Sequence, residues 1–136
     1  MEIQKPNSYK RRAHNVGISM WHLQWCTKYR YKMFRQEKLK AFCETAVKEC
    51  CSRSRIEIIA LNVQPDHVHL VVILPRGMGD AKALHLLKGF TSFLLFRLVP
   101  DFRKRYPRGH LWSSSSFSAT VGYAELEAVV DYVKNQ

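Results

Sequence analysis

Two adjacent strand patterns in the middle of the chain constrain the fold most. Residues 55–64 and 67–74 are rich in β-branched and other apolar side chains, and only Pro65 and Asp66 separate them. A proline followed by an aspartate between two such runs is typical of a tight turn. The sequence therefore predicts an antiparallel β-hairpin, and both of its strands must lie in one sheet.

Helix and strand patterns alternate on both sides of the hairpin. The predicted elements are, in order, a strand at 19–27, a helix at 36–54, the hairpin, a helix from 80 to about 99, a strand region at 111–121 and a short helix after Gly122. We expect Asp80 to cap the second helix and the serine run 113–116 to break the last strand. This order predicts an α+β fold of ferredoxin-like type, with helices packed on one face of an antiparallel sheet.

Length and charge narrow the classes of function. A chain of 136 residues, of which 46% are hydrophobic, is long enough for one globular core. We expect a single domain at 16–136, preceded by a basic arm at 1–15 that either contacts DNA or is a solvated tail. The 22 Lys and Arg residues against 11 Asp and Glu residues give a net charge of +11. Such a charge favours a polyanionic partner, and nucleic acid is the first candidate.

No segment of the sequence is typical of a membrane protein. The chain has no run of about 18 apolar residues and no apolar signal core near its start, so a cytoplasmic location without membrane contact is expected. The four cysteines form no C-x-x-C pair, and they are Cys26, Cys43, Cys50 and Cys51. We interpret them as reduced packing thiols and do not expect a zinc cluster.

Two histidines open the second strand of the hairpin. Because successive side chains of a strand point to opposite faces, His67 and His69 share one face while Val68 and Leu70 point into the core. Two imidazoles at this spacing can share one divalent metal ion. Two ligands alone do not make a site, and a pair of exposed or hydrogen-bonded histidines is the alternative.

Two other uses of alternating histidines in phosphate chemistry do not fit the sequence. Histidine-triad hydrolases need a third alternating histidine, but this chain has Val71 and Ile73 at the next two positions of that face. Two-histidine phosphoesterases need a second His-x-Ser/Thr motif, and the sequence contains none. A metal site is therefore the functional interpretation that stays open for this pair.

The last predicted helix carries a candidate nucleophile. Tyr132 and Gln136 are four residues apart, so a helix places the phenol and the carboxamide on one face. A phenol oxygen can attack a phosphodiester once its proton is transferred, and an amide oxygen can bind a metal. By itself this spacing is weak, because an amphipathic tyrosine at the edge of a packed helix has the same pattern.

Basic and aromatic residues are interleaved directly after the first strand. The segment 28–35 alternates lysines and arginines with Tyr29 and Tyr31, a composition that suits phosphate contacts and base stacking. Simple solvation of a charged loop is the alternative. The candidate DNA contacts of the whole chain are Arg11, Arg12, Lys28, Arg30, Lys32, Arg35 and Lys88.

Taken together, these segments resemble the single-tyrosine HUH transposases, the small TnpA-type enzymes of insertion sequences. The resemblance covers about residues 16–136. It rests on HLQWCTKYR at 22–30, PDHVHL at 65–70 and LWS at 111–113, followed by Tyr132 with Gln136. The ordered set is far more specific than any of its members.

The resemblance implies a fold, a reaction and a site. It implies a ferredoxin-like or RRM-like HUH domain that dimerises, recognises hairpins at element ends, cuts single-stranded DNA and stays joined to the 5′ end through a phosphotyrosine. Carried onto this chain, Tyr132 is the catalytic nucleophile, while His67, His69 and Gln136 hold Mg or Mn. The tyrosine helix of one subunit is expected to complete the histidine site of the other. The alternatives are a noncatalytic nucleic-acid-binding module and a replication or mobilisation nickase.

Overall fold

The predicted hairpin lies inside an antiparallel sheet. The computed structural model describes residues 2–3 and 19–136. In these residues the strands are β1 (Glu2–Ile3), β2 (Ser19–Thr27), β3 (Glu57–Gln64), β4 (His67–Leu74) and β5 (Trp112–Thr120). They are ordered β1-β3-β4-β2-β5, and every neighbouring pair is antiparallel. β4 therefore pairs with β3 on one side and with β2 on the other.

The helices of the described residues follow the predicted order. They are α1 (Glu37–Ser54), α2 (Asp80–Leu98) and α3 (Leu126–Lys134), with 3-10 turns at Lys28–Arg30, Pro100–Lys104 and Tyr123–Glu125. The α+β fold with an antiparallel sheet is thus confirmed. The strand predicted from residue 55 begins two residues later, because Arg55 ends α1 in the left-handed conformation with φ 60°. None of these helices combines the length and apolar content needed to span a bilayer.

The start of the chain contributes a strand that the sequence did not predict. Residues 2 and 3 form β1, in which Glu2 pairs with Leu61 and Ile3 with Ala60 of β3. The rest of the predicted basic arm, including Arg11 and Arg12, lies outside the described residues. The boundary drawn between residues 15 and 16 stays a prediction.

Helices cover both faces of the sheet, which corrects the expectation that they pack on one. α1 and α2 lie on the face of β4 that carries Val68 and Leu70, and residues of these elements form the larger core. α3 packs on the opposite face, where its apolar residues contact Val71 and Ile73. The amphipathic stripe of α3 was predicted correctly, but such a stripe does not indicate which face of a sheet it covers.

The serine run bends β5 without breaking it, contrary to the prediction. The strand is continuous, but its register against β2 shifts, since Trp25 pairs with Ser116 whereas Thr27 pairs with Trp112. Two steps along β2 thus match four along β5, and the extra serines form a bulge. The serine run therefore bends β5 where this strand pairs with the end of β2.

Asp80 begins α2 instead of capping it. The N-cap is Gly79, and the carboxylate of Asp80 accepts a hydrogen bond of 2.5 Å from Ser118 Oγ on β5. The side chain is used to join α2 to the sheet, so it is not free to bind the first backbone amides of the helix.

The cysteines have the packing role that the sequence predicted. All four are free thiols; Cys43, Cys50 and Cys51 are buried, whereas Cys26 is half-buried. Burial raises the pKa of Cys51 to about 12, so this thiol stays protonated and apolar in character.

The core beneath the histidine strand can be tested with two matched truncations. Leu70 is fully buried, whereas Leu98 at the end of α2 is 43% exposed. We expect Leu70→Ala to lower the free energy of unfolding by about 2–5 kcal/mol, because it removes buried methyl groups and leaves a cavity. Leu98→Ala is the control and should change it by less than about 1 kcal/mol. Urea denaturation measures both, and equal effects would contradict the described packing.

Candidate active site

The two predicted histidines lie side by side on the face of the sheet that α3 partly covers. The ring centroids of His67 and His69 are 4.8 Å apart. Across the strands, His69 pairs with Gln24 of β2 and Asn62 of β3, and paired residues point to the same face. The alternation predicted for β4 is therefore confirmed, and the imidazoles lie among polar neighbours.

His69 is the more deeply placed of the pair. Its side chain is 1% exposed, and its Nδ1 lies 3.3 Å from Nε2 of His22 on β2. The other ring nitrogen, Nε2, is buried and has no hydrogen-bond partner. Burial first, and then the neighbouring His67 and His22, lower the pKa of His69 to about 4, whereas the side chain of Gln136, which approaches the ring, opposes this shift. His69 is thus a neutral imidazole at neutral pH.

His67 is oriented by the residue that precedes it. Its Nδ1 lies 2.7 Å from Asp66 Oδ1, and the other oxygen of Asp66 accepts a hydrogen bond of 3.1 Å from Arg30 Nε. Burial opposes ionisation of Asp66, but hydrogen bonds from His67 and Arg30 outweigh it and hold its pKa below the usual value. The carboxylate is therefore ionised, and Nε2 is the nitrogen of His67 left to bind a ligand.

A strained turn brings Arg30 to this position. Tyr29 and Arg30 have φ of 62° and 53°, a region that non-glycine residues rarely adopt. Three hydrogen bonds hold the turn: Thr27 N to Asp66 O at 2.9 Å, Thr27 Oγ1 to Tyr31 O at 2.7 Å and Tyr106 Oη to Lys28 O at 2.7 Å. Strain of this kind persists only where the surroundings enforce it, and it is common beside functional sites.

α3 brings the predicted tyrosine to the histidines of the same chain. Leu126, Val130 and Val133 are buried against the sheet, and this anchors the helix. Tyr132 stays 55% exposed, with its ring centroid 6.0 Å from that of His69 and 6.1 Å from that of His22. The phenol therefore lies at the rim of the histidine face.

The end of α3 is fastened to β3 by two amide side chains. Asn62 Nδ2 donates a hydrogen bond of 2.8 Å to Val133 O, and Gln64 Nε2 donates one of 3.3 Å to Gln136 O. Helix ends leave their last carbonyls unsatisfied, so these donors supply the missing partners. Gln136, although it is the last residue of the chain, is held beside His69.

The residues present fit a divalent metal through a mixed set of donors. No group of three His, Cys, Asp or Glu side chains suited to a metal occurs among residues 2–3 and 19–136. The fit rests on the unpartnered Nε2 of His69, the free Nε2 of His67 and the nearby amide of Gln136. Such a buried nitrogen without a partner is unusual, and a metal would satisfy it.

The basic residues predicted to bind DNA divide between two grooves. The large groove, of about 1140 Å³, runs between α2 and the segment 103–114 and includes Lys28 and Lys88. The small groove, of about 520 Å³, is lined by Arg30, Lys32 and Arg35 together with Arg105. Both grooves also contain aromatic rings, so each combines cations with stacking surfaces.

Lys88 contacts the bulged part of β5. Its Nζ donates a hydrogen bond of 3.0 Å to Ser116 Oγ, and burial lowers its pKa. Arg105, which the sequence analysis did not single out, lies with its guanidinium 5.0 Å from the ring centroid of Tyr31. The serine bulge and this stacked arginine are therefore parts of the groove walls.

Sequence reasoning missed several polar residues of the site, among them Gln64, which contacts the end of α3. His22, Asp66 and Asn62 contact His69, His67 and α3 respectively, although each residue belongs to a segment with a predicted structure. For His22 a signal existed, since it alternates with the core residues of β2 and so lies on the polar face. Its pairing with β4 depends on register between distant strands, which no local pattern supplies.

The comparisons with known proteins agree with each other. The family model described as "Transposase IS200 like" matches residues 15–136. The chain is 26% identical over 127 residues to the transposase for insertion sequence element IS200 of Salmonella typhimurium, covering 93% of this chain and 82% of the relative. It is also 26% identical over 116 residues to the ISDra2 transposase TnpA of Deinococcus radiodurans, covering 85% of this chain and 82% of that protein.

Two solved structures share the fold. A crystal structure assigned to a transposase of Deinococcus radiodurans R1 has a TM-score of 0.71 at 24% identity, covering all of this chain and 98% of the other. A REP-associated tyrosine transposase bound to a REP hairpin has a TM-score of 0.61 at 15% identity, covering 85% of this chain and 64% of the other. At these identities the likeness concerns the fold alone.

The burial of His69 predicts how stability depends on pH. The folded protein binds the proton of His69 only near pH 4, whereas an unfolded chain binds it near 6.5. The unfolded state therefore gains protons first as the pH falls, and stability present above pH 6.5 is lost progressively towards pH 4. This loss should reach about 3 kcal/mol at pH 4 in metal-free protein.

The matched variant for this measurement is His69→Gln, which cannot take up the proton. Urea denaturation with a chelator present, repeated between pH 7.5 and pH 4 for both proteins, isolates the contribution of His69, because the carboxylates titrate in both. The free energies of unfolding of wild type and His69→Gln, plotted against pH, should converge as the pH falls. Curves that stay parallel would show that His69 is not protected from protonation.

Proposed function

The chain belongs to the IS200-like transposase family, and from this premise we propose that it cuts and rejoins single-stranded DNA at the ends of an insertion sequence, with Tyr132 as nucleophile. Family membership makes it a DNA-processing enzyme, and it confirms the resemblance found in the sequence. The finer proposal rests on one observation: the exposed phenol of Tyr132 lies beside a buried histidine whose Nε2 has no partner.

The proposed reaction is a transfer of a phosphoryl group to the phenol. The oxygen of Tyr132 attacks the phosphorus, a Tyr–O–P bond forms to the 5′ end, and the bond to the 3′ oxygen breaks. The phenol gives up its proton to solvent, which reaches it because Tyr132 is exposed, and the departing 3′ oxygen takes up a proton. A 3′ hydroxyl of another end then displaces Tyr132 by the reverse step, so rejoining needs no nucleotide cofactor.

The histidine face would hold and orient the scissile phosphate. His67, His69 and Gln136 are the proposed ligands of Mg or Mn, which would neutralise charge on the phosphate and on the departing oxygen. Because both Nδ1 atoms are occupied, both imidazoles present Nε2. Asn62 and Gln64 hold the end of α3, which keeps Tyr132 and Gln136 at this face during the reaction.

The proposed DNA partner is a single strand carrying an imperfect-palindrome hairpin. The similarly folded REP-associated transposase was solved with a REP hairpin, which supports this class of partner. In this chain, the large groove provides space, cationic side chains and aromatic rings that could contact a folded strand of DNA. The small groove is linked to the histidines, because Arg30 lines it and also contacts Asp66.

We also propose a homodimer in which each tyrosine helix serves the histidines of the other copy. Among residues 2–3 and 19–136, β5 is an edge strand of the sheet and Phe117 on it is 49% exposed, so this edge could pair with a second copy. The surface that α3 covers is the same in both copies. An exchanged helix would therefore find the same apolar contacts and the same amide donors.

The role of Tyr132 can be tested by covalent trapping. Wild-type protein incubated with labelled single-stranded DNA of its own element ends and Mg or Mn should form a protein–DNA adduct that survives a denaturing gel. Tyr132→Phe should form none, because only the attacking oxygen is removed, while its affinity for the hairpin should stay close to that of wild type. Adduct formation by the variant would exclude Tyr132 as nucleophile.

The matched controls are Tyr123→Phe, which changes another exposed tyrosine beyond β5, and the double variant His67→Ala/His69→Ala. Tyr123→Phe should form the adduct normally. The double variant should lose metal-dependent cleavage but bind DNA. Cleavage retained by the double variant would contradict the metal site while leaving the tyrosine untouched.

The predicted DNA contacts can be tested by removing single charges. We expect Lys28→Ala, Lys32→Ala and Arg35→Ala each to weaken binding and to reduce the slope of log affinity against log salt by about 1, since each contact to a phosphate releases counterions. Arg76→Ala, in the loop after β4 and outside both grooves, is the control. Fluorescence anisotropy at several salt concentrations gives the slopes. A slope unchanged in all three variants would show that these residues are solvated and do not contact phosphates.

A further inference from the structure

The hydrogen bond between His22 and His69 has two possible forms. Two neutral imidazoles 3.3 Å apart can share one proton only if one ring donates and the other accepts. Either His22 Nε2 carries the proton and His69 Nδ1 accepts it, or His69 Nδ1 carries it and His22 Nε2 accepts. The choice decides what the second nitrogen of His69 offers to its surroundings.

The unpartnered Nε2 of His69 favours the second form. If His22 were the donor, the proton of His69 would lie on its own Nε2, where no acceptor meets hydrogen-bond geometry and the side chain of Gln136 is the nearby polar group. Orphaned buried donors are rare, because losing hydration without gaining a partner is costly. If His69 donates from Nδ1, its Nε2 carries a lone pair instead. Among residues 2–3 and 19–136, the only other buried side-chain nitrogen or oxygen without a partner is Trp25 Nε1.

The neighbouring histidine follows the same rule with a different acceptor. His67 Nδ1 lies 2.7 Å from the ionised carboxylate of Asp66, so this ring donates from Nδ1 and keeps Nε2 free. Metal-binding histidines generally use their second nitrogen in this way. Both rings would thus donate from Nδ1 and keep Nε2 free, although one acceptor is charged and the other is neutral.

His22 is held against His69 by its surroundings. It is 8% exposed, its ring is stacked on that of His69 with centroids 5.5 Å apart, and Phe117 and Tyr132 contact its edges. Burial lowers the pKa of His22, which favours the neutral ring that an acceptor requires. A carboxylate at this buried position would need a positive partner, and a neutral imidazole does not.

We infer that His22 is a positioning residue of the metal site, which accepts the Nδ1 proton of His69 and so presents Nε2 of His69 to a divalent ion. The inference rests on the proposed function for the metal itself, whereas the hydrogen bond between the two rings is observed directly. In this role His22 binds neither the phosphate nor the ion. It acts by fixing the tautomer and the ring orientation of a ligand.

The first test reads the tautomer in metal-free protein. Nitrogen-15 NMR of the histidine rings distinguishes protonated from unprotonated nitrogens, and His69→Gln assigns the signals. Wild-type His69 should carry its proton on Nδ1, although an unconstrained imidazole favours Nε2. In His22→Phe, which keeps a ring but has no acceptor, the proton should move to Nε2. A wild-type His69 protonated on Nε2 would overturn the inference.

The second test measures metal affinity directly. Electron paramagnetic resonance of free Mn²⁺ gives the dissociation constant without any DNA or catalysis. His22→Phe should bind Mn²⁺ about 10–100-fold more weakly than wild type, as expected when the partner of a ligand histidine is lost. His22→Gln keeps an acceptor oxygen and should recover part of this loss. Phe42→Leu, which changes an aromatic side chain in the larger core on the opposite face of the sheet, is the control and should bind as wild type does.

The outcomes separate this inference from the proposed metal site. Equal affinity of wild type and His22→Phe would overturn the role of His22, provided that His67→Ala/His69→Ala binds more weakly than both. Equal affinity of wild type and that double variant would instead overturn the metal site. If His22→Phe does not fold, two measurements still test the inference: the tautomer of His69 in wild type and the affinity of His22→Gln for Mn²⁺. Binding by His22→Gln as weak as that of the double variant would contradict rescue by an acceptor and so overturn the inference.

Discussion

β4 is buried on both of its faces. One face packs in the larger core, and the other carries the histidines of the candidate site. Val68 and Leu70 pack beneath α1 and α2, while His67 and His69 alternate with them and point towards α3. Because strand side chains alternate, packing one set in the core places the other set on the opposite face without further adjustment. A slip of one residue in register would bury the histidines in the apolar core. The stability of the fold and the existence of the site therefore depend on the same pairing.

α3 closes the histidine face with a small apolar contact and a few polar ones. Its three buried residues pack against the sheet, and Asn62 binds a carbonyl at its end. These contacts involve one face of the helix and its end, and a second copy of the chain could offer the same set. The same contacts that place Tyr132 beside its own histidines are thus compatible with exchange of the helix between copies.

Periodicity in the sequence predicted the elements and the two halves of the site, because alternation and helical spacing are local. His67 with His69, and Tyr132 with Gln136, share a face for reasons contained in a few residues. The placement of α3 on the opposite face of the sheet was not predictable in this way, since its stripe fits either face. His22 and Asn62 were missed because their roles depend on pairings between strands that are distant in the chain. Asp66 was read only as a turn residue, although the turn directs its carboxylate to the adjacent His67.

Arg30 connects the positive surface to the centre of the site. Its guanidinium lines the small groove and also binds Asp66, which in turn orients His67. A phosphate in the small groove would compete with Asp66 for this arginine, and the carboxylate would then lose one of the hydrogen bonds that favour its charge. DNA bound in this groove, as proposed, would thus be coupled to the orientation of His67 through one side chain, which the strained turn at Tyr29 and Arg30 places next to Asp66.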